Sequence, residues 1–154
     1  MSANTDGLVV RARALVREGR HAVLSTLAED GAPFGSLVAY AYDDALVPYL
    51  FVSRLAEHTK NLARDARASL LVQNTHEGDP LAGARATLIG TFEKAPEAER
   101  EALVERFVAR HPEAAIYANF PDFSVYRLSV RAVRVIEGFG VMGFVPGEAY
   151  THDP

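Results

Sequence analysis

At 154 residues, 49% of them hydrophobic, the chain suits one globular domain able to bury its own core. A net charge of −4 leaves no dominant basic surface for duplex nucleic acid, and no apolar run reaches the roughly 20 residues of a membrane-spanning helix. The absence of cysteine excludes disulfides, thiolate nucleophiles and cysteine-ligated zinc or iron–sulfur sites.

The opening stretch MSANTDGLVVRARALVREG lacks the charged-then-apolar order of a secretory signal. A cytoplasmic protein with neither nucleic acid nor membrane as partner is therefore expected. Tryptophan is absent too, so any ring stacked on a ligand must come from Tyr, Phe or His.

In chain order, Leu8, Val9, Ala12, Leu15 and Val16 recur at helical spacing and predict a helix from Asp6 to Glu18, capped by Thr5 or Asp6 and ended by Gly19. His21 to Ala28, Phe34 to Tyr42 and Leu46 to Ser53 read as three strands joined by short turns, hence an antiparallel meander. Pro48 cannot donate to a ladder and is expected at a strand start, an edge or a bulge. A short helix follows from Glu57 to Asp65, with Leu62 and Ala63 facing inward, then a strand from Ala68 to Gln73. Asn74 to Gly83 reads as a loop, and Ala84 to Glu93 as a strand with a bend or bulge at Gly90. Pro96 is expected to start the longest helix, to Arg110, with acids early and arginines late as the helix dipole favours. Phe123 to Ser129 and Arg131 to Glu137 read as two last strands, and Gly138 to Gly147 as a mobile Gly-rich loop, a candidate cofactor lid.

Six or seven strands with a few overlying helices predict a mainly β fold with α elements, a closed or nearly closed antiparallel barrel. The whole chain, 1–154, is expected to be one domain: a helix over 1–19, a barrel with its helices over 20–137 and a Gly-rich tail over 138–154.

The segment Ser53-Arg54-Leu55-Ala56-Glu57-His58-Thr59-Lys60-Asn61-Leu62 runs from a strand end into a helix start and gathers hydroxyl and cationic side chains. Helix N-termini present free N–H groups and partial positive charge, which suits a phosphate. The same spacing also suits an ordinary surface helix.

This segment and the order of elements resemble the pyridoxamine 5′-phosphate oxidase-like family, the FMN-binding split β-barrels. In that family the third strand ends in Thr or Ser, a helix with Ser-x-Lys-x-x-x-Leu follows, and then a strand beginning Ala-Ser-Leu. The chain has Ser53, then His58, Thr59, Lys60 and Leu62, then Ala68-Ser69-Leu70. The resemblance puts the family's phosphate-binding lysine at His58, with Lys60 as the permanent charge beside it. The family's Arg-Gln-x-x-x-x-Gly strand matches Ala84 to Gly90, with Arg85 where its glutamine reaches the flavin of the partner subunit. On the second strand, Gly35, Ser36 and Ala39 are small enough for a flat ring to approach the backbone.

The resemblance thus implies an FMN-binding homodimer, a flavin-dependent oxidoreductase, with Ser36, Ser53, Arg54, His58, Thr59, Lys60, Asn61 and Arg85 around the cofactor. Its other partner would be a small-molecule substrate or electron donor, and no residue is singled out as a catalytic acid or base. The oxidase's own substrate signature, an Arg-Leu-x-Pro ending, is missing. Leu55, Ala56, His58, Thr59, Asn61 and Leu62, with Gly138-Phe139-Gly140, are similar to the haem-utilisation branch of the superfamily. Haem binding or degradation is therefore an alternative, as are a deazaflavin-dependent reductase and a flavin-binding protein without turnover.

Other chemistries find little support. The histidines, His21, His58, His76, His111 and His152, lack metal-ligand spacing. Gly138 to Gly143 has dinucleotide-binding spacing but no following helix pattern. Tyr117, Phe120, Phe123 and Tyr126 read as core or dimer interface.

Overall fold

The computed structural model describes residues 3–73, 78–138 and 140–152. It opens on α1 (Ala3–Glu18), which buries Leu8, Val9, Ala12, Leu15 and Val16 along one stripe against the sheet. Each larger aliphatic chain so buried contributes on the order of 1.5–3 kcal/mol, so the stripe rather than intrinsic propensity holds the helix. The helix starts ahead of the expected Thr5 or Asp6 cap and ends at Gly19, whose N–H donates to Leu15 O at 3.0 Å. A Cβ at position 19 would overlap the Tyr40 hydroxyl, so glycine is needed there for space.

β1 (His21–Leu27) and β2 (Pro33–Ala39) form a hairpin whose turn carries Gly31 at φ +86°, a conformation cheap only for glycine. The strand expected from Phe34 to Tyr42 is broken at Tyr40 and resumes as β3 (Ala41–Tyr42). The break lets the fully buried Tyr40 donate its hydroxyl to Val16 O at 2.9 Å. β4 (Pro48–Ser53) places Pro48 at its first position, where a missing N–H does no harm. α2 (Glu57–Arg64) buries Leu62, whereas Ala63, expected inward, is exposed; the inward positions on that helix are Thr59 and Asn61 instead.

β5 (Arg67–Gln73), β6 (Arg85–Lys94), β7 (Phe123–Gly138) and β8 (Val141–Pro146) complete an eight-stranded antiparallel sheet. Its order is β2-β1-β5-β6-β7-β4-β3, with β8 added beside β7. The two ends of that order, β2 and β3, are separated in sequence by Tyr40 alone, so the curl closes through the chain itself. The bend expected at Gly90 is present: the β6–β7 register slips between Ile89 and Gly90, leaving Arg131 outside the pairing.

Phe123 to Ser129 and Arg131 to Glu137, expected as two strands, are one strand of 16 residues. The bulge bends β7 without ending it, so its first part pairs with β4 and its last with β8. The Gly-rich tail is not a loop either. Beyond Phe139, which lies outside the described residues, it forms β8 and α4 (Gly147–Thr151), because Val145, Ala149 and Tyr150 have a core to enter. The Tyr150 hydroxyl donates to Leu46 O at 2.5 Å, and Arg13 Nη1 donates to Tyr150 O at 2.6 Å.

The helix expected from Pro96 is a 3₁₀ turn, Glu97–Glu99, followed by α3 (Arg100–Arg110), which is shorter than α1. Within the loop expected from Asn74 to Gly83, positions 74–77, including His76, lie outside the described residues, and Pro80–Ala82 is a 3₁₀ turn capped by Asp79.

The main core fills the barrel and the underside of α1. A second core lies where α3 packs Leu103, Val104 and Phe107 onto Tyr49 and Phe51 of β4 and Val125 of β7. The Tyr49 hydroxyl ties the two layers by donating to Leu103 O at 2.7 Å.

Candidate functional site

The second core leaves a cavity of about 210 Å³ between β2, the end of β4, the start of α2 and α3. Its walls are apolar: Leu37 and Ala39 of β2, Phe51 of β4, Phe107 of α3, and Tyr117 and Phe123. The rings brace one another. Tyr117 stacks on Phe123 at 4.5 Å between centroids and on Phe51 at 6.0 Å, while Phe107 meets Phe51 edge-on at 5.8 Å. Offset and edge contacts of this kind suit ring quadrupoles, so the wall is shaped before any ligand arrives.

Two polar side chains, Ser53 and His58, also line this cavity. His58 is half-buried, and its Nε2 has no hydrogen-bond partner. Burial pushes its pKa below the ordinary 6.5, because a charged imidazole loses hydration there, so the ring is neutral at pH 7. That ring nitrogen is itself enclosed by the protein, so a metal or a donor reaches it only if the ring or its neighbours shift. The other described histidines differ. His111 is buried with Nε2 2.7 Å from Tyr40 O, His152 Nδ1 lies 2.9 Å from Glu148 O, and His21 is exposed against the His111 ring.

The structure brings some of the sequence-selected residues together and separates others. The Ser53 hydroxyl donates to Asp122 Oδ2 at 3.0 Å and accepts from Leu55 N at 3.1 Å. Arg54 and Lys60 are exposed. Thr59 and Asn61 turn into the protein: Thr59 Oγ1 is buried without a hydrogen-bond partner, and Asn61 Nδ2 donates to Thr26 Oγ1 at 3.1 Å. Ser36 lies in register with Leu24 of β1. Arg85 pairs with Gln73 and Ile136, six positions along β6 from Thr91, roughly 20 Å by strand rise from the α2 end of the sheet. Its guanidinium donates to Leu81 O at 3.0 Å and Gly83 O at 3.3 Å.

A flavin phosphate at the α2 start would therefore meet few converging donors. The Ser53 hydroxyl is already engaged by a carboxylate, Glu57 adds a second acid in the first turn of α2, and Ala56 offers no side-chain cap. The aromatic cavity with its unpaired imidazole suits a flat apolar ligand with an acceptor metal better.

Several contributors were not legible as site residues. Asp122 reaches Ser53 across 69 positions with no motif between them. Phe51 and Phe107 were not singled out in the sequence, and of the aromatic cluster noticed there Tyr117 and Phe123 line the cavity, while Phe120 is exposed and Tyr126 packs on the main core.

A curled antiparallel sheet closed through Tyr40, with β7 shared between two arms, defines a split β-barrel. Residues 5–152 match the family model described as CREG, beta-barrel, and the chain belongs to that family. It is 34% identical over 128 residues to the unconventional haem oxygenase HOZ, a chloroplastic protein of Arabidopsis thaliana, covering 82% of this chain and 39% of that one. Among solved structures, a haem-binding protein from Mycobacterium smegmatis superposes with a TM-score of 0.88 at 36% identity, over 98% of this chain and 61% of that one. The chain thus spans well under two thirds of the first relative's length and somewhat under two thirds of the second's. A general stress protein 26-related protein of the pyridoxinephosphate oxidase family, from Clostridium acetobutylicum, shares the fold alone: TM-score 0.69 at 14% identity, over 92% of this chain and 95% of that one. The resemblance read from Ser53 to Leu70 therefore holds for the fold. Among the described residues, no helix is long and apolar enough to cross a membrane.

Proposed function

We propose that the chain binds haem, with the aromatic cavity taking an apolar edge of the macrocycle and His58 Nε2 as the iron ligand. The observation that carries this reading is His58, a half-buried residue whose neutral ring keeps an enclosed, unpaired Nε2 beside the Phe51–Phe107–Tyr117–Phe123 wall. Bound there, haem would supply a redox-active iron that His58 would hold. The haem-binding protein of M. smegmatis and the haem oxygenase of A. thaliana support the choice of haem over the flavin expected from the sequence.

A cavity of about 210 Å³ is smaller than the roughly 300–1,000 Å³ of common ligand sites, so one chain covers only part of a macrocycle. We propose that a second copy covers the rest. The outer sheet face supports this: a row in register across six strands runs Leu37, Val23, Leu71, Thr87, Arg134 and Phe144. Leu37 is 78% exposed and Phe144 63%, an apolar surface of the kind that marks interfaces.

Titration with hemin, followed by absorption, tests the reading. A saturating Soret band that shifts or vanishes in His58→Ala is expected. A parent protein that carries flavin bands and takes up no hemin would overturn it.

A further inference from the structure

A second cavity, of about 330 Å³, lies beside α3 and has no part in the haem reading. α3 presents Phe107 to the aromatic cavity and Arg106 and Arg110 to this one, which Arg20 and Tyr42 also line. Three guanidinium groups from two separate parts of the chain thus face one concavity. The carboxylate paired with them is Asp44, on Arg106 Nη1 at 2.8 Å, and its side chain is almost fully in solvent. Among the described residues, Arg20 and Arg110 have no carboxylate partner and meet only backbone carbonyls at the C-terminal ends of α3 and α1.

The arginines are held in place rather than dispersed. Arg20 Nη1 donates to Arg110 O at 2.8 Å, and Arg110 Nη2 donates to Arg17 O at 3.0 Å and to Gly19 O. The Arg110 guanidinium lies 4.8 Å from the centre of the Tyr42 ring, and that of Arg106 lies 5.7 Å from it. These contacts use part of the Arg20 and Arg106 forks and leave N–H groups over, whereas Arg110 Nε, though unpartnered, is enclosed by the protein. Fixed like charges in a concavity repel one another, and an anion removes that repulsion while satisfying the spare donors. Planar forks match carboxylate and phosphate oxygens alike, but a charge of two and donors arriving from α3, β3 and the α1–β1 turn favour a tetrahedral dianion.

We propose that Arg20, Arg106, Arg110 and Tyr42 form a binding site for a dianionic phosphate group, either free phosphate or a small phosphomonoester. The site is separate from the haem pocket, and its test does not depend on haem.

Inorganic phosphate is titrated calorimetrically into the full chain at low ionic strength, with chloride at matched ionic strength as the blank. Saturable one-to-one binding is expected, weakened about tenfold or more in the exposed-residue variant Arg20→Gln/Arg106→Gln. Asp44→Asn removes the competing carboxylate and should tighten binding about threefold, whereas Glu105→Gln, elsewhere on α3, should change it less than about twofold. A parallel titration with glycerol phosphate separates the two sources: tighter binding than inorganic phosphate marks an ester, equal binding the free ion. No saturation below about 10 mM, or equal tightening by Glu105→Gln and by Asp44→Asn, would overturn the proposal, since only general charge would then be at work.

Discussion

The Ser53 hydroxyl donates to Asp122 Oδ2 at 3.0 Å, and the Arg54 amide donates to the backbone oxygen of the same residue at 2.8 Å. The end of β4 is thereby latched to the turn before β7, and a carboxylate sits where the split-barrel resemblance calls for a phosphate. An anion brought to Ser53 has to meet that charge. Asp122→Asn should accordingly raise any affinity for FMN by about tenfold, roughly 1.4 kcal/mol, read by quenching of flavin fluorescence. Lys60→Ala, at an exposed position, should change FMN affinity by less than about 0.5 kcal/mol. A loss of 1–3 kcal/mol on removing Lys60, about that of a charged hydrogen bond, would restore the phosphate reading.

Haem affinity should depend on pH through His58. Burial lowers its pKa below 6.5, so the lone pair that would meet iron is free at neutral pH and is lost only as acid protonates the ring below that value. Folding stability shares the sign. Between the lowered folded value and 6.5 the unfolded chain binds more protons, so His58 makes stability fall as pH drops through that window and adds no pH dependence above it. Hemin titrations from pH 5 to 8 on parent and His58→Ala separate the effects: the acid limb of binding should disappear in the variant. An unchanged limb would assign the titration to another group.

Leu37 both lines the cavity and stands 78% exposed on the outer sheet face. Leu37→Glu should therefore lower hemin affinity and shift sedimentation from dimer to monomer together, since a buried unpaired carboxylate is strongly disfavoured. A dimer that persists with parental affinity would show that this face is not the interface.

Gly90 is a packing requirement. A Cβ there would overlap the Ser129 backbone oxygen inside the β6–β7 bulge, where neither strand can move without breaking the ladder. Gly90→Ala should cost about 3 kcal/mol or more, seen as a large fall in the denaturation midpoint or as failure to fold. Tyr150→Phe makes a graded comparison. It leaves Leu46 O without the buried hydroxyl and should cost about 1–2 kcal/mol while hemin binding stays as in the parent.

Local pattern carried the helical stripe of Leu8 to Val16, the β1–β2 hairpin and the bend at Gly90, because each depends on neighbours a few residues away, whereas the expected meander breaks at Tyr40 and puts β2 and β3 at opposite ends of the sheet. Periodicity misread the last quarter of the chain for the same reason. A bulge opposite Gly90 lets β7 run on through Arg131, and glycines at 138, 140, 143 and 147 masked a strand and helix whose burial depends on Leu46 and Arg13, more than 100 positions earlier.

The site divided along the same line. Residue order from Ser53 to Leu70 carried the family resemblance that implies a split barrel, and that resemblance put His58 where the family has a phosphate-binding lysine. What else faces that segment was set by residues it never meets in sequence. Asp122 engages the Ser53 hydroxyl, and Phe107 and Tyr117 wall the space near His58. Charge and desolvation act through space, so only the folded chain sets which donors stay free.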